Sequence, residues 1–250
     1  MRIYHIGSME VSLPEVSQFL DDLGVERWVT DAHSGGEYLV ELGGRLCYKS
    51  FEPGLNPNVE KIREGNKAYV GNIIRQLHGS VIEHAVDSFI ITDVSRVLTH
   101  ELVRHRHLSI SQESLRYVRI EEIDLVEPQI EAVSATLEGS WKCAAWAINH
   151  AYKTLLTMVN WNGLTFKAKK ALTSALRRLI PMGQKTSLMA TANNRAWRWM
   201  IEARTGLGAE EEIRRLFLLI FRELKKTHPA IYQDAEEQSD GTVKFGNSKV

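Results

Sequence analysis

The chain has no long apolar run. Its longest, Leu216–Phe221, is bracketed by Arg214 and Arg215 on one side and Arg222 on the other. That is far short of the ~20 apolar residues a membrane span needs. The opening Met1-Arg2-Ile3-Tyr4-His5 has no extended apolar core and no cleavage signature, so no export signal is read there. Cysteine is scarce: Cys47 and Cys143 are the only two in 250 residues. Two cysteines this far apart make neither a disulfide framework nor a CxxC pair, and the expectation is two reduced thiols in a cytoplasmic protein. The 6 prolines and 17 glycines are scattered, and there is no linker of low complexity and no internal repeat. An excess of one charge is also missing, with 31 basic and 31 acidic residues. That balance argues against a general nucleic-acid coat, which needs surplus Lys and Arg. The 44% hydrophobic and 25% charged content excludes intrinsic disorder.

What is present reads as helices with a few strands. Arg2–Ile6 and Thr186–Ala192 are short strand candidates, and the β-branched Val86–Val94 reads as a buried strand. Leu39, Leu42 and Leu46 set a helix over Glu37–Tyr48. Val70, Ile73, Ile74 and Leu77 mark a second helix, with Asn58 as its N-cap. Ser95 caps a helix to about His105, and Ser109–Tyr117, polar and without a period, reads as a loop or a helix fragment. Glu131–Asn160 carries Trp141, Ala145, Ile148, Tyr152, Leu155 and Val159 on one stripe and ends at Asn162-Gly163; Phe166–Ile180 stops at Pro181. Trp141, Trp146 and Trp161 read most simply as core or subunit-interface residues. Asn193 or Asn194 caps a helix through Arg204. Glu210–Thr227 is amphipathic, with Ile213, Leu216, Phe217, Ile220 and Leu224 inward. These elements predict an α/β (mixed α+β) chain: one domain over 1–235 with a small central sheet covered by helices, followed by a polar tail over 236–250 that frays.

Functional groups crowd into residues 78–117. Five of the nine histidines lie there, namely His78, His84, His100, His105 and His107, together with Arg96, Arg104, Arg106 and Arg116. Guanidinium forks next to a helix end suit a phosphate, and Ser114 and Gln112 can add neutral hydrogen bonds. A solvated basic helix end explains the same composition. The histidines lack metal-ligand order, so no metal is expected.

The run Arg104-His105-Arg106-x-x-Ser109-x-x-x-x-Ser114-x-Arg116 resembles the signature of the flavin-dependent thymidylate synthases, with six fixed positions in thirteen. The resemblance extends from about Glu37 to Ile231. It includes Gly43-Gly44-Arg45-Leu46-Cys47-Tyr48, the turn His78–His84, Arg177-Arg178-Leu179-Ile180-Pro181, and Asn193-Asn194-Arg195-Ala196-Trp197 with Arg204.

The resemblance implies a homotetramer that holds FAD between subunits. It implies flavin contacts at His78, Ser80, Glu83, Arg104, His105, Arg106, His107, Gln112, Asn193, Asn194, Arg195 and Trp199. For deoxyuridylate (dUMP) it implies Arg96, Glu101, Arg104, Gln112, Glu113, Ser114, Leu115, Arg116, Arg177 and Arg204. Arg204 matches the position that polarises the uracil at N3. Arginine is not an ordinary proton acceptor at neutral pH, so its contribution would be electrostatic. Ser114 would sit near the reacting carbon as a binding group. Methylenetetrahydrofolate would donate the carbon and NADPH the hydride, through FAD. There is no G-x-G-x-x-G, so no Rossmann site is expected. Trp199 stands where a His or Asn is common in the family, and Gly208 where a His is common. Two alternatives stay open. One is an RNA-binding module on residues 104–116, weakened by Tyr117 being the only aromatic residue at hand. The other is a catalytically inactive flavin- or nucleotide-binding homologue. No nucleic-acid or membrane partner is expected.

Overall fold

The computed structural model describes residues 1–59, 61–128, 135–248 and 250. Strand β1 (Arg2–Ser8) leads to helices α1 (Leu13–Leu23), α2 (Gly35–Tyr48) and α3 (Asn66–Arg75). Then come β2 (Val86–Ser95), α4 (Arg96–Leu102), β3 (Ser109–Gln112), α5 (Ala135–Thr157) and α6 (Phe166–Leu176). Strand β4 (Lys185–Asn193), helices α7 (Asn194–Thr205) and α8 (Glu211–Thr227), and strands β5 (Ala235–Glu237) and β6 (Val243–Phe245) complete the chain. Four strands form a sheet in the order β1-β2-β4-β3, and β5 pairs antiparallel with β6. The fold is therefore mixed α/β with a small sheet.

The contacts divide into two compact units. One comprises residues 1–2, 91–104 and 110–189; the other comprises residues 3–90, 105–109 and 190–250. In the larger unit the core is built on α8. Its predicted inward residues Ile213, Leu216, Phe217, Ile220 and Leu224 are all buried, and they share that core with Trp197, Met200 and Ile201 of α7 and Phe89 of β2. Phe89 and Trp197 meet edge to face at 5.5 Å. A satellite cluster of Leu20, Val25 and Phe51 seats α1, a helix for which no sequence expectation was formed. In the other unit Leu98 and Leu102 of α4, Val94, Ile123, Tyr152 and Leu188 are buried.

Several expectations are corrected. Asn58 lies in a turn, with its N–H donating to Asn56 Oδ1; α3 starts at Asn66 behind Gly65, whose φ of 80° suits glycine. Residues 109–112 form a strand, because Glu113 N–H bonds the Ser187 carbonyl and extends the edge of β4. Helix α4 ends at Leu102, short of His105, and α6 ends at Leu176, where a 3-10 turn over Arg177–Leu179 precedes Pro181. The expected start of the long helix at Glu131 lies outside the described residues. Of its stripe only Tyr152 is buried, while Ile148 and Leu155 are exposed and Trp146 stacks on His150 at 5.2 Å. The stretch read as a fraying tail carries β6, with Val243 and Phe245 buried, and Phe245 packs against the guanidinium of Arg198 at 4.4 Å.

Candidate active site

The residues expected to bind dUMP fall, except for Arg204, in the unit containing 91–104 and 110–189. Ser95 ends β2 with a β-region backbone, and its Oγ accepts from Leu98 N–H at 3.1 Å, which starts α4 at Arg96. Arg96 Nη2 donates to the Glu113 carbonyl (2.9 Å) and to Thr186 Oγ1 (3.4 Å). Gln112 Nε2 donates to Thr99 Oγ1 (3.1 Å) and Thr186 Oγ1 (3.4 Å). The Glu113 carboxylate accepts from Ser187 N–H at 3.3 Å. Arg96 Nε is buried and has no hydrogen-bond partner among the described residues. Burial lowers the pKa of Arg96, Glu113 opposes this, and the like charge of Arg177 adds to the lowering. A guanidinium stays charged across ordinary pH. A half-buried cation with an unused donor and a second cation facing it is an arrangement that an anion would stabilise. Ser114 Oγ accepts from Arg116 N–H at 3.3 Å in a turn that leaves Arg116 exposed. Glu101 and Leu115 are half-buried, and Arg104 and Arg177 are exposed. Thr99 and Thr186 belong to this cluster but carry no motif that could have flagged them.

Most of the expected flavin residues lie in the other unit; Arg104 and Gln112 do not. Asn193 caps α7 by accepting from Ala196 N–H at 2.8 Å. From that helix Arg195 reaches Glu83 at 2.7 Å. Gly79 makes room for it: a Cβ there would lie 2.8 Å from Arg195 Nε and 3.2 Å from the Val250 backbone. A cleft of about 560 Å³ follows, lined by Glu83, His107, Asn193, Arg195, Ala196, Trp199, Ser248 and Val250. Its size is within the ~300–1,000 Å³ usual for small-molecule sites. Trp199 offers 54% of its surface to solvent there. One turn further on, Arg204 Nε donates to Nε2 of the buried His105 at 2.8 Å. That bond makes Nε2 the acceptor, so the ring proton of neutral His105 sits on Nδ1. Trp199 meets the same ring edge-on at 5.2 Å.

Other expected flavin residues are placed differently. His78 is stacked on Tyr48 at 5.8 Å and lines a separate hollow. Ser80 and Arg106 are exposed and are not part of the cleft wall. Asn194 is fully buried. Its amide donates to the Ala85 carbonyl and to Asp87, and its Oδ1 accepts from Tyr232 Oη. The side chain is thus committed to the interior of this unit and does not line the cleft. Ser248 and Val250 join the cleft from a stretch whose polar composition gave no sign of it.

Residues 29–230 match the family model described as thymidylate synthase complementing protein. A flavin-dependent thymidylate synthase of Mycobacterium sp. (strain JLS) is 40% identical over 225 residues, which covers 86% of each chain. The chain belongs to the flavin-dependent thymidylate synthases. Further members are 37% identical in Mycolicibacterium gilvum, over 95% of this chain and 94% of the relative, and 36% identical in Mycobacterium leprae over the same shares.

As a flavin-dependent thymidylate synthase the chain has a cleft whose donor set fits a flavin dinucleotide. The paired Arg195 and Glu83 would present a cation to a diphosphate and an acceptor to hydroxyl or ring N–H groups, and the exposed Trp199 would present a stacking face. Among the described residues no three His, Cys, Asp or Glu side chains are grouped to hold a metal, and no helix is long and apolar enough to cross a membrane. Cys47 and Cys143 are both exposed, and neither lines the cleft.

Proposed function

We propose that the chain converts dUMP to dTMP, taking the carbon from methylenetetrahydrofolate and the hydride from NADPH, with FAD as resident cofactor. The observation that carries this reading is that one stretch, 104–116, serves two surfaces. Gln112 and Glu113 belong to the cationic cluster around Arg96, while His107 lines the cleft and His105 holds Arg204. When bound, FAD supplies the two-electron relay from NADPH to the transferred carbon.

The chain's own residues do the rest. Arg96 and Arg177 hold the phosphate of dUMP, with the unused Nε of Arg96 as one donor. Gln112 and Ser114 orient the nucleotide, and Arg116 and Arg104 add charge at its rim. Arg204, fixed by His105, has the role at uracil N3 that the family implies: it stabilises negative charge that develops there, so that C5 gains electron density and attacks the folate methylene. The C5 proton then leaves, the bond between the methylene and the folate nitrogen breaks to release tetrahydrofolate, and the hydride that originates in NADPH adds to the methylene left on the ring to give the methyl of dTMP. No enzyme nucleophile is needed, in keeping with two exposed cysteines that do not line the cleft.

A homotetramer is part of this reading. Tyr4, Ile6 and Ile90 are exposed apolar residues on β1 and β2, which supports burial of that face by another copy. A cytoplasmic location is also part of this reading, supported by two cysteines that are both unpaired. The test is formation of dTMP from dUMP with FAD, NADPH and methylenetetrahydrofolate. Arg96→Ala is expected to raise KM for dUMP by about tenfold or more, from one lost charge-assisted bond. A wild-type chain that binds FAD yet forms no dTMP would refute the reading in favour of an inactive homologue. A chain that binds RNA in place of FAD would favour the nucleic-acid alternative.

A further inference from the structure

One hollow outside these two surfaces is cationic and aromatic at once. It measures about 170 Å³ and takes its positive charge from Arg116, Arg119, Lys169 and Lys170, with no carboxylate in its lining. Its apolar walls are Tyr117, Trp161 and Phe166. Phe166 and Tyr117 are left 74% and 59% exposed. The Arg119 guanidinium lies 4.5 Å from the Trp161 ring, and Lys170 Nζ lies 4.5 Å from the Tyr117 ring and 3.0 Å from its hydroxyl. Arg119 also reaches Glu121 at 2.6 Å, but Arg116 and Lys169 have no carboxylate partner among the described residues.

Four cations around a hollow this small repel one another. An anion relieves that repulsion, and exposed rings interleaved with cations favour a flat heteroaromatic group. The chemistry required is thus a phosphate-bearing nucleotide. The volume suits one ring system or phosphate group, not a whole dinucleotide. The phosphate of dUMP is already provided for by Arg96 and Arg177, and only Arg116 is common to both sets. Of the remaining reactants in the proposed reaction, NADPH carries both an adenine and a 2′-phosphate.

We infer that this hollow, between the end of the 104–116 motif and α6, binds the 2′-phosphate at the adenosine end of NADPH and sets the preference for NADPH over NADH. The inference rests on the function proposed above and concerns only the end of NADPH remote from the nicotinamide.

The test uses the full-length, FAD-loaded protein with 2′,5′-ADP and 5′-AMP, which lacks only the 2′-phosphate, as probes in titration calorimetry. Wild type should bind 2′,5′-ADP about tenfold more tightly than 5′-AMP, the scale of one charge-assisted phosphate contact. Lys169→Gln should erase most of that preference. It should also raise KM for NADPH in anaerobic flavin reduction by a similar factor, leaving NADH and dUMP unchanged. Arg119→Gln gives a second variant should the first fail to fold. Equal binding of the two probes to wild type would overturn the proposal, as would an unchanged preference in both variants. A rise in KM confined to polyglutamylated methylenetetrahydrofolate would assign the hollow to the folate tail instead and overturn it too. Absence of dTMP synthesis would sink the function reading separately, since probe binding is read without turnover.

Discussion

Asp87 is the sharpest place to test the link from fold to site. It sits on β2 with no exposed surface and accepts hydrogen bonds from His5 Nε2 at 2.8 Å, His228 Nε2 at 2.9 Å and the Asn194 amide. His228 passes the network on through Nδ1 to Ser34 Oγ at 2.6 Å, and Ser34 is the N-cap of α2. One carboxylate therefore joins β1, β2, the start of α7, the end of α8 and the start of α2. Burial by itself would raise its pKa. The bonds from His228 and His5, the charge of His228 and the Asn194 amide overcome that and lower it from 3.8 to about 2. The lowered value is a stabilising term. It is present above pH ~4–5 and is lost as pH falls through the folded value, and it amounts to about 2–3 kcal/mol. The pKa of His5 is raised, chiefly by its bond to Asp87 and against its burial. Its contribution runs the other way, present below its ordinary value of 6.5 and lost as pH rises through the raised one. The two shifts describe one shared bond and are not summed.

Asp87→Asn keeps the shape but turns one acceptor into a donor facing donors. Removing one partner of a buried charged network costs about 3–5 kcal/mol, a large part of the ~5–15 kcal/mol of a typical fold. At ~2–4 °C per kcal/mol for a chain of this size, Tm should fall by about 10 °C. Urea unfolding followed by tryptophan fluorescence measures the loss at pH 7. Between pH 5 and pH 3 the gap between wild type and variant should narrow by about 1 kcal/mol as Asp87 becomes protonated in the unfolded wild type. The variant should also hold FAD less well, because Asn194 opens the helix that carries Arg195, Trp199 and Arg204. A loss below about 1 kcal/mol at pH 7, or a gap that stays constant down to pH 3, would refute this account of Asp87.

Three further outcomes are expected. Gly79→Ala places a methyl against Arg195 Nε and the Val250 backbone; overpacking of this kind costs about 1–3 kcal/mol, and a flavin fluorescence titration should show weaker FAD binding. Arg204→Ala removes the donor fixed by His105; kcat at saturating dUMP should fall by about 10²–10³, while reduction of the flavin by NADPH persists in anaerobic stopped flow. Cys47→Ala and Cys143→Ala replace exposed thiols; both should keep wild-type turnover, and mass spectrometry of quenched wild-type reactions should find no dUMP adduct on either cysteine.

The legible parts of this chain share a physical character: they are local. The inward stripe of α8 is set by a 3.6-residue period within one helix, and every residue of it is buried. The caps at Ser95 and Asn193 are bonds across three residues. The 104–116 signature could be read because its residues are contiguous, and the family follows from it. What escaped depends on distant partners. Strand β3 exists because Glu113 finds Ser187, 74 positions away. The β5–β6 pair is fixed by Val243 and Phe245 entering a core made by other elements, so a composition reading saw only polar residues around them. Ser248 and Val250 reach the cleft for the same reason.

The two asparagines at the start of α7 show why a resemblance needs the structure beside it. Asn193 and Asn194 are adjacent and chemically identical, and the family pattern treats both as flavin contacts. Yet consecutive residues at the start of a helix point in different directions. Asn193 caps the helix at the rim of the cleft, whereas Asn194 turns inward to Asp87 and Tyr232. The same reasoning separates the charged residues. Arg198 lies between Arg195 and Arg204 in sequence and has the same chemistry, but it is buried against Asp234 at 2.8 Å and the Ile231 carbonyl at 2.6 Å. It holds the C-terminal strand pair to α7 and has no surface left for a ligand. Motif content thus nominates a helix for the site, and the direction of each side chain from that helix decides which of its residues can touch substrate.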